Sequence, residues 1–168
     1  MRSILTLAGL TLAAGHAAGE GVELEIEIPR LDVAEYHRPY VAVWVARPDH
    51  SVVSNVAVWY QQESRGAEEG ETWLKDLRQW WRRAGRSLDM PVDGVSGPTQ
   101  APGKHTIDLG PNTDLEPGDY QLVVEAAREV GGRELVTIPF SWPLAEGTSS
   151  TAEGERELGT VILRSTAP

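Results

Sequence analysis

Two short apolar runs and the turn between them decide the fold class of this chain. The stretch from Tyr40 to Tyr60 is YVAVWVARPDHSVVSNVAVWY. Its two ends, Tyr40–Val45 and Val56–Tyr60, are rich in β-branched and aromatic residues, which favour strands. Between them, Arg47–Ser51 contains the Pro and Asp that are typical of turns. The pattern predicts a β-hairpin.

The sequence around this hairpin gives further strand signals. Val22–Ile28 (VELEIEI) alternates apolar and acidic residues, which predicts a strand with one buried side and one acidic, solvent-facing side. Glycine and proline pairs at 117–118 and 131–132 indicate turns. We expect further strands over residues 105–109, 120–126, 135–142 and 158–164. The small, polar and acidic stretch Ala145–Glu157 predicts a mobile loop.

Residues 72–83 follow a helical period instead. Six apolar residues fall on one stripe of the helical wheel: Trp73, Leu74, Leu77, Trp80, Trp81 and Ala84. Lys75, Arg78, Arg82, Arg83 and Arg86 fall on the rest of the wheel. This pattern predicts an amphipathic helix that ends near Gly85 and packs its Trp stripe on the sheet. The basic rim either lies in solvent or pairs with nearby Glu, or it binds an anion, such as a cofactor phosphate or a lipid head group.

Seven strands and one helix predict an all-β fold. The expected architecture is an immunoglobulin-like antiparallel β-sandwich with one inserted amphipathic helix at about 72–83. A parallel α/β sheet would need crossover helices between its strands, and the sequence predicts one helix only. A closed barrel is the alternative architecture.

The first 18 residues, MRSILTLAGLTLAAGHAA, predict a secretory signal peptide. They contain one early Arg, an apolar stretch and small residues where cleavage would occur. We expect a single β-sandwich domain over residues 19–168, located in the periplasm, with no membrane span because no later apolar run is long enough. The chain has no Cys, which excludes disulfides and a thiolate nucleophile.

Charge and motif content argue against several classes of function. A net charge of −10 is unsuited to binding a phosphate backbone, so no nucleic-acid partner is expected. Neither the Gly-x-Ser-x-Gly nor the His-Glu-x-x-His motif is present. The spacing of His37, His50 and His105 is not that of metal ligands. We therefore predict no catalytic residues and no metal site, which favours a redox carrier or a binding module over an enzyme.

One short motif carries a sharper functional signal. Asp93–Thr99 (DGVSGPT) resembles the flavinylation motif Asp-x-x-(Ser/Thr)-Gly-Ala-(Ser/Thr) of extracytoplasmic electron-transfer proteins. In those proteins a periplasmic flavin transferase joins flavin mononucleotide (FMN) through its phosphate to the last hydroxyl. The resemblance implies attachment at Thr99, with Asp93, Ser96 and Gly97 as recognition residues. Pro98 stands where the motif has Ala. We expect the motif to lie in an exposed Gly/Pro-rich loop over residues 89–103.

A wider resemblance covers about residues 21–142. It is carried by Pro39–Val45, Trp73–Arg82, Val95–Thr99, Pro102-Gly103, Pro117–Tyr120 and Glu125–Glu129. These stretches are similar to a bacterial family of predicted periplasmic proteins of unknown function. The resemblance implies an immunoglobulin-like fold and genes located near flavin transferases and PepSY-type membrane reductases of iron uptake.

Two functional hypotheses follow. In the first, FMN on Thr99 accepts electrons from a membrane reductase and passes them to a periplasmic acceptor. The basic helix would steady the phosphate, and any of Trp73, Trp80 or Trp81 that is not fully buried would pack near the flavin ring. The alternative is a non-catalytic, immunoglobulin-like binding module of the cell envelope, which carries no cofactor.

Overall fold

The computed structural model describes residues 21–62, 70–109 and 114–166, which form two sheets packed face to face. The strands are β1 (Gly21–Ile28), β2 (Tyr40–Ala46), β3 (Val52–Tyr60), β4 (Ser96–Pro98), β5 (Gly103–Asp108), β6 (Gly118–Ala127), β7 (Arg133–Trp142), β8 (Ser149–Glu153) and β9 (Thr160–Thr166). One sheet has the order β5-β1-β9-β8 and the other β4-β3-β2-β6-β7. The all-β sandwich is confirmed, and the sheets do not close into a barrel. The predicted signal peptide lies outside the described residues.

Two strands were not expected from the sequence. The predicted loop over residues 145–157 is wrong in its middle, because β8 pairs with β9 there in antiparallel register. The predicted loop over residues 89–103 is also wrong in part, because β4 pairs with β3. That pairing is parallel, so the larger sheet is not wholly antiparallel. Both strands are short and lie at sheet edges, where small and polar residues give little apolar periodicity.

The larger sheet is buried on both faces. On β2, Val41, Val43 and Val45 face the core between the sheets, together with residues such as Leu24 and Leu163. The alternate residues Ala42, Trp44 and Ala46 belong to a second core on the outer face. Because both faces are covered, the β2 sequence is one unbroken apolar run rather than an alternating one.

The outer face is covered by the predicted helical region, which is not one continuous helix. A 3₁₀ segment, Gly70–Asp76, leads into α1 (Arg78–Arg83), and a second 3₁₀ turn, Gly85–Ser87, follows. Leu74, Leu77 and Trp80 are buried as expected, but Trp73 is 45% exposed. With three residues per turn instead of 3.6, the 3₁₀ segment carries Trp73 off the apolar stripe. Within the described residues, no helix is long and apolar enough to cross a membrane.

A buried carboxylate of β6 holds the start of α1 against the sheet. Glu125 is fully buried and accepts hydrogen bonds from the backbone N–H groups of Gln79 (3.1 and 3.0 Å) and Trp80 (2.8 Å). Arg133 Nη1 donates to the same carboxylate at 2.9 Å. The first N–H groups of a helix have no partner within the helix. Here Glu125, a side chain of the sheet, accepts them in place of a local N-cap residue. Trp80 Nε1 adds a bond to Asn55 Oδ1 at 2.9 Å.

We expect Glu125→Ala to lower the free energy of unfolding by about 3 kcal/mol, because it leaves the buried N–H of Trp80 and the partly buried donors of Gln79 and Arg133 without this acceptor. Urea denaturation followed by tryptophan fluorescence measures the change. Glu146→Ala is the matched control, since Glu146 is exposed and its removal is expected to change stability by less than about 0.5 kcal/mol. Equal midpoints for the two variants would contradict this role of Glu125.

Candidate functional site

A cleft of about 690 Å³ lies at one end of the larger sheet. β2 begins at this end, and β3, β4 and β6 finish here, because β3 and β4 are parallel and β2 is antiparallel to both β3 and β6. The strand ends therefore deliver Tyr40, Gln61, Thr99 and Ala127 to the cleft wall. Its volume is within the usual range for small-molecule and cofactor sites.

Three aromatic side chains line the cleft: Tyr36, Tyr40 and Trp73. Tyr40 is fixed by a hydrogen bond from its hydroxyl to the Gly70 carbonyl at 3.0 Å, and burial raises its pKa. Gly70 must be glycine, since a Cβ there would lie 1.8 Å from the Gln61 carbonyl oxygen. The close approach of these backbones brings the 3₁₀ segment, and with it the exposed Trp73, to the cleft.

The predicted motif runs along β4 and ends at this cleft. Asp93 and Gly94 form an exposed turn, in which Gly94 has a φ of 69° that suits glycine. The Ser96 hydroxyl accepts a hydrogen bond from the Val92 backbone N–H at 2.9 Å and so closes the turn. Thr99 follows β4, is half-buried and lines the cleft.

The central part of the motif is ordered against the sheet rather than free in a loop. Ser96 and Gly97 are half-buried and pair with β3. A Cβ on Gly97 would lie 3.3 Å from Trp59 Cδ1, so glycine lets β4 approach the indole. Asp93 lies in the exposed turn at the other end of the motif from Thr99. The structure thus brings Thr99 alone of the four predicted site residues to the cleft wall.

The cations at the cleft do not come from the predicted basic helix face. The cleft lining includes Arg38, from the β1–β2 connector, and Arg128, which directly follows β6. Arg83 instead lies beside a smaller pocket with His50 and donates to the His50 carbonyl at 2.9 Å. Arg128 was not predicted as a site residue. A signal was present, because Arg128 lies within the Glu125–Glu129 stretch that carries the family resemblance.

Arg128 is held by a buried ion pair. Its Nε donates to Glu157 Oε2 at 2.7 Å and its Nη2 to Glu157 Oε1 at 3.2 Å. The side chains of Arg128 and Glu157 are 6% and 5% exposed. Gly132 N–H donates to Glu157 Oε1 at 2.8 Å, and a Cβ on Gly131 would lie 2.5 Å from Arg128 Cζ. The two glycines of the predicted turn therefore also make room for this pair.

Glu134 fixes the loop that carries Glu157. Its carboxylate accepts the backbone N–H groups of residues 155, 156, 157 and 158 at 2.6 to 3.0 Å. Burial acts to raise the pKa of Glu134, but these four hydrogen bonds outweigh it and lower the pKa below its ordinary value of 4.5. A carboxylate of β7 thus positions the β8–β9 loop, and the loop positions Arg128 at the cleft.

The three histidines within the described ranges do not form a cluster. His37 Nε2 bonds Glu35 Oε1 at 2.8 Å, His50 follows the β2–β3 turn, and His105 packs edge-on against Trp59 with ring centroids 5.8 Å apart. Over the ranges that the structure describes, no group of three His, Asp or Glu side chains could hold a metal ion.

We expect Glu134→Gln to be less stable than the wild type by about 1 kcal/mol at pH 7, because the neutral amide is a weaker acceptor for four N–H groups. The folded-state pKa of Glu134 is lowered, so its contribution is complete well above pH 4.5. It is lost as the pH falls through the folded pKa. Urea midpoints of both proteins between pH 7 and pH 3 should therefore converge at low pH. A gap independent of pH would contradict a charge-dependent role.

Comparison with known proteins gives one match. Residues 21–160 match a family described as predicted periplasmic protein (DUF2271). No curated protein and no solved structure matches the chain. The match runs from β1 into the start of β9 and includes the described cleft residues. Its description agrees with the periplasmic location predicted from residues 1–18. Because the match covers most of the sequence, the protein belongs to the DUF2271 family of predicted periplasmic proteins.

Proposed function

We propose that this periplasmic protein carries FMN, joined through its phosphate to Thr99 Oγ1, and transfers electrons. The observation that carries the proposal is the place of Thr99, at the end of the flavinylation-like motif and in the wall of an aromatic cleft. Neither the motif alone nor the cleft alone would suffice. Because the motif ends at a residue that lines the cleft, FMN attached to Thr99 would have its flavin ring next to the cleft.

The chain's own residues fit the group in three ways. Thr99 is half-buried rather than fully buried and lines the cleft, so part of the residue is accessible from the cleft. Tyr36, Tyr40 and Trp73 offer apolar surface to a planar ring. Arg38 and Arg128 place hydrogen-bond donors at the cleft, whose lining also holds Asp76 and Glu129, and guanidinium groups suit the phosphate and carbonyl oxygens of FMN. Bound there, the flavin would supply the redox chemistry, while the protein supplies attachment and orientation.

The attachment step balances as a phosphoryl transfer. Thr99 Oγ1 attacks the phosphorus of the FMN half of a flavin dinucleotide. The new O–P bond forms as the pyrophosphate bond breaks, AMP leaves, and the hydroxyl proton passes to a base of the transferase. The exposed Asp93-Gly94 turn and the exposed Pro98 give a transferase access to both ends of the motif. We further propose a membrane reductase, of the kind linked to iron uptake, as the electron donor.

Co-production of the chain with a flavin transferase in an exporting host tests the attachment. Intact-mass analysis of the purified protein should show one added FMN phosphoester in the wild type and in Thr99→Ser. Thr99→Ala should show none, because it lacks the acceptor oxygen. Thr106→Ala is the matched control on exposed β5 and should stay modified. An unmodified wild type, or a modified Thr99→Ala, would overturn the proposal.

A second candidate function is a cofactor-free binding module, and one observation favours it. Lys75, Arg78, Arg82, Arg83 and Arg86 are all exposed, and none of them takes part in an ion pair within the described ranges. Arg83 donates to a backbone carbonyl and Lys75 lies over the Trp73 ring, but neither contact neutralises the charge. A cluster of exposed cations on an acidic protein suits an acidic partner surface.

The triple variant Arg78→Gln, Arg82→Gln, Arg83→Gln tests this surface. If it is a docking face, capture of envelope partners by the tagged protein should fall about tenfold, and the wild-type capture should weaken with salt. Arg156→Gln, at an exposed position away from α1, is the control and should capture as the wild type does. Undiminished capture by the triple variant would exclude this face as the docking site.

A further inference from the structure

Two buried polar atoms in the cleft wall have no hydrogen-bond partner. They are the Tyr36 hydroxyl and Arg128 Nη1, both shielded from solvent. A buried unpaired donor costs stability, and such groups are rare enough in proteins that each calls for an explanation. Both residues line the same cleft, so a side-chain rearrangement that uncovers the two buried atoms would let one ligand satisfy both donors.

The structural role of Arg128 does not account for Nη1. Glu157 takes Nε and Nη2, which completes the two-point pairing of a guanidinium with a carboxylate. That pairing ties the turn after β6 to the β8–β9 loop without any help from Nη1. Nη1, the third nitrogen of the guanidinium, is not needed for this packing and remains a donor without an acceptor.

Tyr36 is placed to work together with Arg128. Its ring lies over the guanidinium, with Arg128 Cζ 5.9 Å from the ring centroid. Burial raises the pKa of Tyr36, so the phenol keeps its proton and stays a donor. Tyr36 belongs to the connector between β1 and β2, which has no strand or helix. Because its ring lies against the guanidinium, a rotation of the Tyr36 side chain would uncover Arg128 on that side and move the Tyr36 hydroxyl out of its buried position.

We propose that Arg128 Nη1 and the Tyr36 hydroxyl bind the carbonyl-bearing edge of the flavin ring, which offers acceptors and gains electron density on reduction. This inference rests on the proposed function, since it names the contacts of the same ligand. It adds a reversible recognition site for the ring that is separate from the covalent tether at Thr99. It also predicts that the site prefers the reduced ring. Glu157 offsets the charge of Arg128, but hydrogen bonds donated to the ring oxygens strengthen as those oxygens gain negative charge.

Riboflavin binding to Thr99→Ala tests the recognition site without attachment. Riboflavin lacks the phosphate, and this variant lacks the acceptor oxygen, so only reversible contacts remain. We expect quenching of riboflavin fluorescence on titration with the variant. Adding Arg128→Gln with Glu157→Gln should raise the Kd about tenfold, and the paired change avoids leaving a lone buried charge. Adding Tyr36→Phe, which keeps the ring, should raise it about threefold.

The control is Arg82→Gln in the same Thr99→Ala background, which removes an exposed cation of α1 and should leave the Kd within twofold. Circular dichroism melting confirms that each variant is folded. No quenching by Thr99→Ala, or an unchanged Kd in the Arg128→Gln, Glu157→Gln background, would overturn the inference. The Arg82→Gln control losing affinity as much as the paired variant would also overturn it, because a diffuse charge effect would then suffice.

A second measurement uses the flavin-loaded protein. The paired Arg128 and Glu157 variant should have a midpoint potential about 30 mV lower than the wild type, which corresponds to a tenfold smaller preference for the two-electron-reduced ring. An unchanged potential would contradict the inference and leave the attachment intact. If no flavin is attached but riboflavin binds as expected, the tether fails while the recognition site stands.

Discussion

The larger sheet has to be covered on both faces, and the rest of the structure depends on this constraint. Its central strand, β2, places valines on one side and Trp44 with two alanines on the other. One face meets the second sheet. The other can be covered only by the short helical region, whose isolated stability would be marginal at this length. Glu125 resolves this by joining the start of α1 to the sheet with buried hydrogen bonds.

The same covering layer creates the cleft. The 3₁₀ segment reaches the end of the sheet where Tyr40 bonds Gly70, and the strand ends beside it leave a recess rather than a closed surface. On another wall, the Glu134 carboxylate binds the backbone of the β8–β9 loop. Glu157 of that loop then pairs with Arg128, which lines the cleft. Glutamates that receive backbone and side-chain donors thus set the position of both walls, which gives the cleft a fixed shape.

Local patterns predicted much of the fold, because the relevant residues report on burial directly. The apolar runs of β2 and β3 and the alternation of β1 all formed the expected strands. The short edge strands β4 and β8 escaped notice for different reasons. β4 pairs with β3, which lies far from it in sequence. β8 pairs with the following strand β9, but its small and polar residues show no apolar periodicity. At the site, Thr99 was identified through a motif, whereas Arg128 acquires its position from Glu157 and the Gly131-Gly132 turn. A contact between residues 29 positions apart leaves no periodic trace in either segment.

The edge strands of the two sheets are poorly suited to pairing with a strand from another protein chain. β4 has three residues and ends in Pro98, β8 is the polar run SSTAE, and β7 contains Pro139. Proline offers no N–H to an incoming strand, and short polar borders present few bonding groups in register. Three of the four sheet edges, β4, β7 and β8, are thereby poor templates for a strand from another copy. The fourth edge, β5, carries the exposed Lys104, and a charged edge likewise opposes edge-to-edge aggregation.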